Sequence, residues 1–134
     1  MARILLIEDD ESVRTMLQMI LVHFGHTVME AGNGNEGLEQ FRRAGADLVI
    51  TDIVMPEKEG IEVLLELRKE QPPVKIIAIS GGGRQSATDY LHLATLLGAS
   101  TVLAKPFSSA ELVAAITELL PQGGAPGEPP AATP

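Results

Sequence analysis

The chain has 134 residues, 45% of them hydrophobic and 21% charged, which suits one domain able to bury a single core without covalent staples. With no cysteine, disulfides, thiolate catalysis and Cys-ligated zinc are excluded. The formal net charge is −8, and the basic residues are scattered apart from Arg42-Arg43 and Arg68-Lys69, a pattern that argues against direct binding of nucleic acid.

Residues 3–7 form an apolar run of strand length. Val13, Met16, Leu17, Ile20, Leu21 and Phe24 then make a helical stripe, stopped by Gly25. A weaker strand covers 27–30. Asn33 with Glu36 resembles a helix entry, and Leu38, Phe41 and Ala44 supply a short buried face before Gly45. Asp47 to Thr51 is a third strand. The turn Met55-Pro56-Glu57-Lys58-Glu59-Gly60 leads to a helix over roughly 60–70, closed by Pro72-Pro73. Val74 to Ile79 is a fourth strand. Gly81-Gly82-Gly83 precedes a fourth helix over about 86–97, and Thr101 to Ala104 is the fifth strand. Ser108 with Glu111 matches a capping box, opening a last helix whose apolar positions are Leu112, Val113, Ile116, Leu119 and Leu120.

Five strands alternating with five helices predict an α/β, doubly wound (βα)5 sandwich with a five-stranded parallel sheet. Right-handed crossovers favour the strand order 2-1-3-4-5 of flavodoxin-like folds. The domain is expected over 1–120. From Pro121 the composition turns to Pro and Gly, so 121–134 reads as a disordered tail or a truncated linker. Met1-Ala2-Arg3 leads into only a short apolar run, and no stretch reaches bilayer-spanning length, so the chain is expected to be cytoplasmic with no membrane partner.

The chemistry gathers at the strand ends. Residues 4–7 run into Glu8-Asp9-Asp10, residues 48–51 into Asp52, residues 76–79 into Ser80, and residues 101–104 into Lys105-Pro106. In an open parallel sheet these ends form the edge where ligands bind. Glu8, Asp9 and Asp52 would meet across neighbouring strands, while Asp10 fits the N-cap of the first helix. Two carboxylates ~4 Å apart repel by roughly 4 kcal/mol at an effective dielectric near 20, so the cluster must take up a proton, a lysine or a metal. An all-oxygen nest suits Mg²⁺ better than zinc. Lys105 adds a second positive charge and Ser80 a hydroxyl. A cation, a lysine and a hydroxyl around one carboxylate equip it to accept a phosphoryl group, and Asp52 is the candidate nucleophile.

Ile4-Leu5-Leu6-Ile7-Glu8-Asp9-Asp10, Thr51-Asp52-Ile53-Val54-Met55-Pro56 with Gly60, Ile79-Ser80-Gly81 and Leu103-Ala104-Lys105-Pro106-Phe107 resemble the signature segments of CheY-like receiver domains of two-component response regulators. The likeness spans residue 3 to about 120. It implies that Asp52 is phosphorylated by a histidine kinase or phosphotransfer protein. It further implies that Asp9 contacts Mg²⁺ directly, that Glu8 acts through water, and that the backbone carbonyl of Val54 completes the protein ligands. Ser80 matches the switch hydroxyl and Lys105 the family's lysine, with a cis Lys105-Pro106 bond. A downstream protein partner would engage the face of the fourth helix, fifth strand and fifth helix, and the chain would be no enzyme beyond self-phosphorylation and slow autodephosphorylation. Two departures stand out. Val102 occupies the position where the family often carries Tyr or Phe, and the Gly81-Gly82-Gly83 region lengthens the interval from Ser80 to Lys105.

Val102 keeps open a phosphorylation-independent protein-interaction module of the same fold. An aspartate-nucleophile phosphatase would want Asp where Val54 stands, and a flavin protein a hydroxyl-rich loop where the acids follow the first strand. Gly32-Asn33-Gly34-Asn35-Glu36-Gly37 matches G-x-G-x-x-G, yet it follows the second strand and carries Glu36 where a pyrophosphate would lie, so it reads as a turn into a helix. His23, His26 and His92 share no metal-ligand spacing. Tyr90 reads as a docking or packing residue of the fourth helix, and Met16, Met19, Met29 and Met55 as core or turn residues. With no DNA-binding element after residue 120, output is expected through another protein unless a further domain follows.

Overall fold

A computed structural model of the chain describes residues 2–53, 60–69, 74–80, 98–105 and 107–120. The elements are β1 (Arg3–Ile7), α1 (Glu11–His23), β2 (Thr27–Ala31), α2 (Gly34–Ala44), β3 (Leu48–Asp52), α3 (Gly60–Arg68), β4 (Lys75–Ser80), β5 (Thr101–Ala104) and a C-terminal helix (Ser109–Leu119). The expected fourth helix over 86–97 with Tyr90 and His92, the Gly81-Gly82-Gly83 loop, Met55, Val54, the Lys105-Pro106 bond and the segment 121–134 fall outside the described residues.

All strands are parallel, in the order β2-β1-β3-β4-β5. Both faces of the sheet are covered, which is why its central strands are apolar without interruption. On one face Leu5, Ile7, Val49, Ile76 and Ala78 pack with Leu38 of α2 and Val63, Leu64 and Leu67 of α3. On the other, Ile4, Leu6, Leu48, Ile50, Ile77 and Ile79 pack with Leu17 and Leu21 of α1 and with Leu112, Ala115 and Ile116 of the C-terminal helix. Burying each such Leu or Ile contributes about 1.5–3 kcal/mol.

Side-chain caps fix three helix starts. Asp10 accepts from Val13 N–H, Asn33 from Glu36 N–H, and Ser108 with Glu111 forms a reciprocal capping box. Gly25 (φ 93°) and Gly45 (φ 74°) follow α1 and α2 in left-handed backbone that a side chain would strain.

Four expectations are corrected. The apolar stripe of α1 is narrower than its spacing suggests, because Met16 (51% exposed) lies on its flank and Phe24 (52%) is the C-cap residue, out of helical phase. Met19 is 63% exposed rather than core, and Ala44 lies on the exposed end of α2. Strands β3 and β4 sit one residue later than Asp47–Thr51 and Val74–Ile79. Asp47 precedes β3 and receives the Arg3 N–H on its carboxylate (2.8 Å).

Arg68, at the end of α3, donates to the carbonyls of Val74 and Gly98 (2.9 Å each), pinning the chain before β4 and β5. At the same edge Ala2 N–H donates to His26 Nδ1 (3.3 Å). Burial, and then the terminal ammonium, push the His26 pKa below its ordinary 6.5. A depressed base binds its proton more readily in the unfolded chain, so its contribution is complete above that ordinary value and is lost as pH falls through the lower folded one. Between pH 7.5 and pH 5.5 the urea midpoint should fall further in the wild type than in His26→Gln, the comparison cancelling shared titrations. Parallel pH profiles would contradict this.

Candidate functional site

The register carries the polar residues to one edge. Ile7 pairs with Thr51, Asp52 with Ile79, and Ser80 with Ala104. Glu8 follows β1, Asp52 and Ser80 end β3 and β4, and Lys105 follows β5. Ser80 thus reaches the edge through its backbone, while its side chain lies outside the described residues.

Glu8 (1% exposed) and Asp52 (5%) are the two buried acids of the described chain, and Lys105 bridges them. Its Nζ lies 3.3 Å from Glu8 Oε1 and 3.4 Å from Asp52 Oδ2. The second Glu8 oxygen accepts the Asp10 N–H (3.1 Å), and the Glu8 N–H donates to the Ala31 carbonyl (3.0 Å). Asp9 is exposed, yet one oxygen from each of Glu8, Asp9 and Asp52 lies within 4.8 Å of the others.

Burial is the chief reason that the Glu8 pKa is pushed up from 4.5 to about 7. The neighbouring Asp52 charge adds to this, while the Asp10 N–H and Lys105 oppose it. For Lys105, burial alone would lower the pKa, but Asp52 and Glu8 together outweigh it and hold the ammonium above 10.5. Three carboxyl groups face one ammonium, so the pocket has more acids than its lysine can neutralise. The donor set is all oxygen, partly buried and open on the Asp9 side, so it could hold a hard divalent cation. Among the described residues these three acids are the group with metal-binding geometry.

Two features escaped the sequence. Glu8 lies in direct contact with Lys105, a pairing that the sequence does not specify. Arg14, which spacing marks only as a polar position on α1, donates to the Glu8 carbonyl (2.8 Å) and pairs with Glu30. Neither partner lies within helical reach of Arg14, so periodicity carried no signal for the contact.

A parallel sheet of this order with an acidic pocket and a lysine at its carboxyl edge is the architecture of a CheY-like signalling domain. The response regulator receiver domain model matches residues 4–117, and the chain belongs to that family. It is therefore a CheY-like receiver domain of two-component response regulators, a class of signalling switches rather than of turnover enzymes.

The chain is 38% identical over 121 residues to the sensor kinase CckA of Brucella abortus (strain 2308), covering 89% of this chain but only 12% of the kinase. It is 35% identical over 118 residues to the chemotaxis protein CheY of Thermotoga maritima, covering 87% of this chain and 96% of that one. Among solved structures, a response regulator receiver domain protein from Clostridium thermocellum superposes with a TM-score of 0.83 at 31% identity, covering 91% and 96% of the two chains. Among the described residues no helix is long and apolar enough to cross a membrane.

Proposed function

We propose that the receiver domain, over residues 1–120, is switched by phosphorylation of Asp52. The observation that carries this reading is the double contact of Lys105 with Glu8 and Asp52 beside the exposed Asp9. In the reaction an Asp52 carboxylate oxygen bonds to the phosphorus of a phosphohistidine while its P–N bond breaks, and the imidazole departs with the bonding pair. Water later cleaves the acyl phosphate, releasing inorganic phosphate and restoring Asp52. Lys105 offsets charge on the incoming phosphoryl oxygens and the Ser80 hydroxyl donates to one of them. Glu8, Asp9 and Asp52, with the backbone carbonyl of Val54 that the family pattern implies, would hold Mg²⁺. Bound there, the ion would supply further neutralisation of the transferring group.

The donor is a histidine kinase or phosphotransfer protein. The modified domain engages a protein partner through the face that includes β5 and the C-terminal helix. Acetyl phosphate with Mg²⁺ should add one phosphoryl group by intact mass, and none to Asp52→Asn or in EDTA. An unmodified wild type under those conditions would overturn the proposal and favour the phosphorylation-independent module that Val102 suggests.

A further inference from the structure

The geometry points to Arg14 as a positioning residue that holds the acid-bearing loop through its backbone. This rests on the reading of Glu8, Asp9 and Asp52 as the cation pocket. Arg14 sits one turn into α1, and its own N–H donates to the carbonyl of the cap residue Asp10 (2.8 Å). A helical side chain leans back toward the amino terminus, so its guanidinium lies beneath the loop that enters the helix.

There Nη1 donates to the Glu8 carbonyl (2.8 Å), and Nε faces Glu30 Oε1 on β2 (3.4 Å). Gly32, next along the chain from β2, lies beside it: a Cβ at that glycine would stand in contact, 3.4 Å from Nη1. The loop after β1, strand β2 and the loop after β2 therefore converge on one planar fork.

The Glu8 carbonyl belongs to the peptide that joins Glu8 to Asp9, beyond the last rung of the β1 ladder, Ile7 with Ala31. Fixing that peptide sets the direction in which both acids leave the backbone. The Glu8 N–H on Ala31 and the Asp10 N–H on Glu8 Oε2 hold the residues on either side, and Arg14 supplies the hold between them. The Glu30 pair is partly exposed and contributes little energy alone. It keeps the fork turned so that Nη1 meets the carbonyl. A lysine can satisfy Glu8 or Glu30, but not both with the fork's fixed angle.

Such outer supports typically change metal affinity by about 10–100-fold. The test measures Mn²⁺ binding by electron paramagnetic resonance, and amide exchange in EDTA, for wild type, Arg14→Met, Arg14→Lys and Asp47→Asn. Arg14→Met keeps the buried stem and should bind Mn²⁺ roughly tenfold more weakly. Its Asp10 N–H should exchange faster than in wild type, while the Asp47 N–H at the opposite edge is unchanged. Arg14→Lys should resemble Arg14→Met. Asp47→Asn loosens that opposite edge and should keep wild-type affinity.

Wild-type affinity and exchange in folded Arg14→Met would overturn the inference. So would full rescue by Arg14→Lys, which would make charge the cause, or an equal loss in Asp47→Asn, which would make general stability the cause. A wild type that binds no Mn²⁺ would sink the cation reading instead, and the exchange at Asp10 would still decide whether Arg14 positions the loop.

Discussion

Lys105→Met should destabilise the metal-free protein by about 1–3 kcal/mol at pH 8, and by clearly less at pH 6. Removing one partner from a buried ion pair leaves an uncompensated charge and typically costs about 3–5 kcal/mol, a figure reduced here because the lysine side chain is 24% exposed. The folded pKa of Lys105 is raised, so its stabilisation is present at all pH values below the ordinary lysine value and is lost only as pH rises through the higher folded one. Lys105 is also among the groups that pull the Glu8 pKa down from where burial and Asp52 would place it. Without the lysine that pKa climbs higher still, but at pH 6 Glu8 holds its proton with or without Lys105, so less charge is left unbalanced there. At pH 8 the two carboxylates face each other with less neutralisation. Urea unfolding in EDTA at the two pH values measures the difference, and an equal loss at both would contradict the assignment of Lys105 as the counter-ion. Adding Mg²⁺ should restore more stability to the variant than to the wild type, since the cation then takes over the lysine's charge.

The strands and helix starts were legible because each depends on neighbours in sequence. The run from Ile4 to Ile7 needs only its own apolarity to read as a buried parallel strand. Asp10, Asn33 and Ser108 cap helices through donors three residues ahead. The edge cluster was legible for a related reason: once the strand order is taken as 2-1-3-4-5, strand ends converge whatever their separation in sequence.

What was not legible depends on the angle at which elements meet. Met16 and Phe24 fit a helical stripe by spacing, but whether a flank position is covered depends on what packs beside α1, and Phe24 falls where the helix has ended. Asp47 reads as part of a strand until its carboxylate is seen to hold Arg3 N–H. The depth at which Glu8 lies, and with it the raised pKa, follows from packing around the end of β1 and from no local pattern.

Gly37 shows the same limit with the second large consequence. In the sequence it belongs to a glycine pattern that context argues against as a nucleotide loop, which leaves its identity without a reason. In the structure it lies within α2, buried, and a Cβ there would collide with Ile7 Cδ1 and come 2.7 Å from Ile7 Cγ1. Gly37→Ala should therefore destabilise the protein by about 1–2 kcal/mol. Replacing a mid-helix glycine by alanine ordinarily gains up to about 1 kcal/mol, but overpacking a closed core costs about 1–3 kcal/mol, and Ile7 is fully buried with little room to turn. Placing the change in an Ile7→Val background removes Cδ1 but keeps Cγ1, so the double-mutant cycle should return favourable coupling of up to about 1 kcal/mol by urea unfolding. Additive losses would mean that Ile7 Cδ1 is not the obstacle. Because Ile7 directly precedes Glu8, any shift that relieves the collision also moves the buried acid. Gly37→Ala should for that reason weaken Mn²⁺ binding as well, and Ile7→Val should restore it in part, which ties the glycine of α2 to the pocket through one side chain of β1.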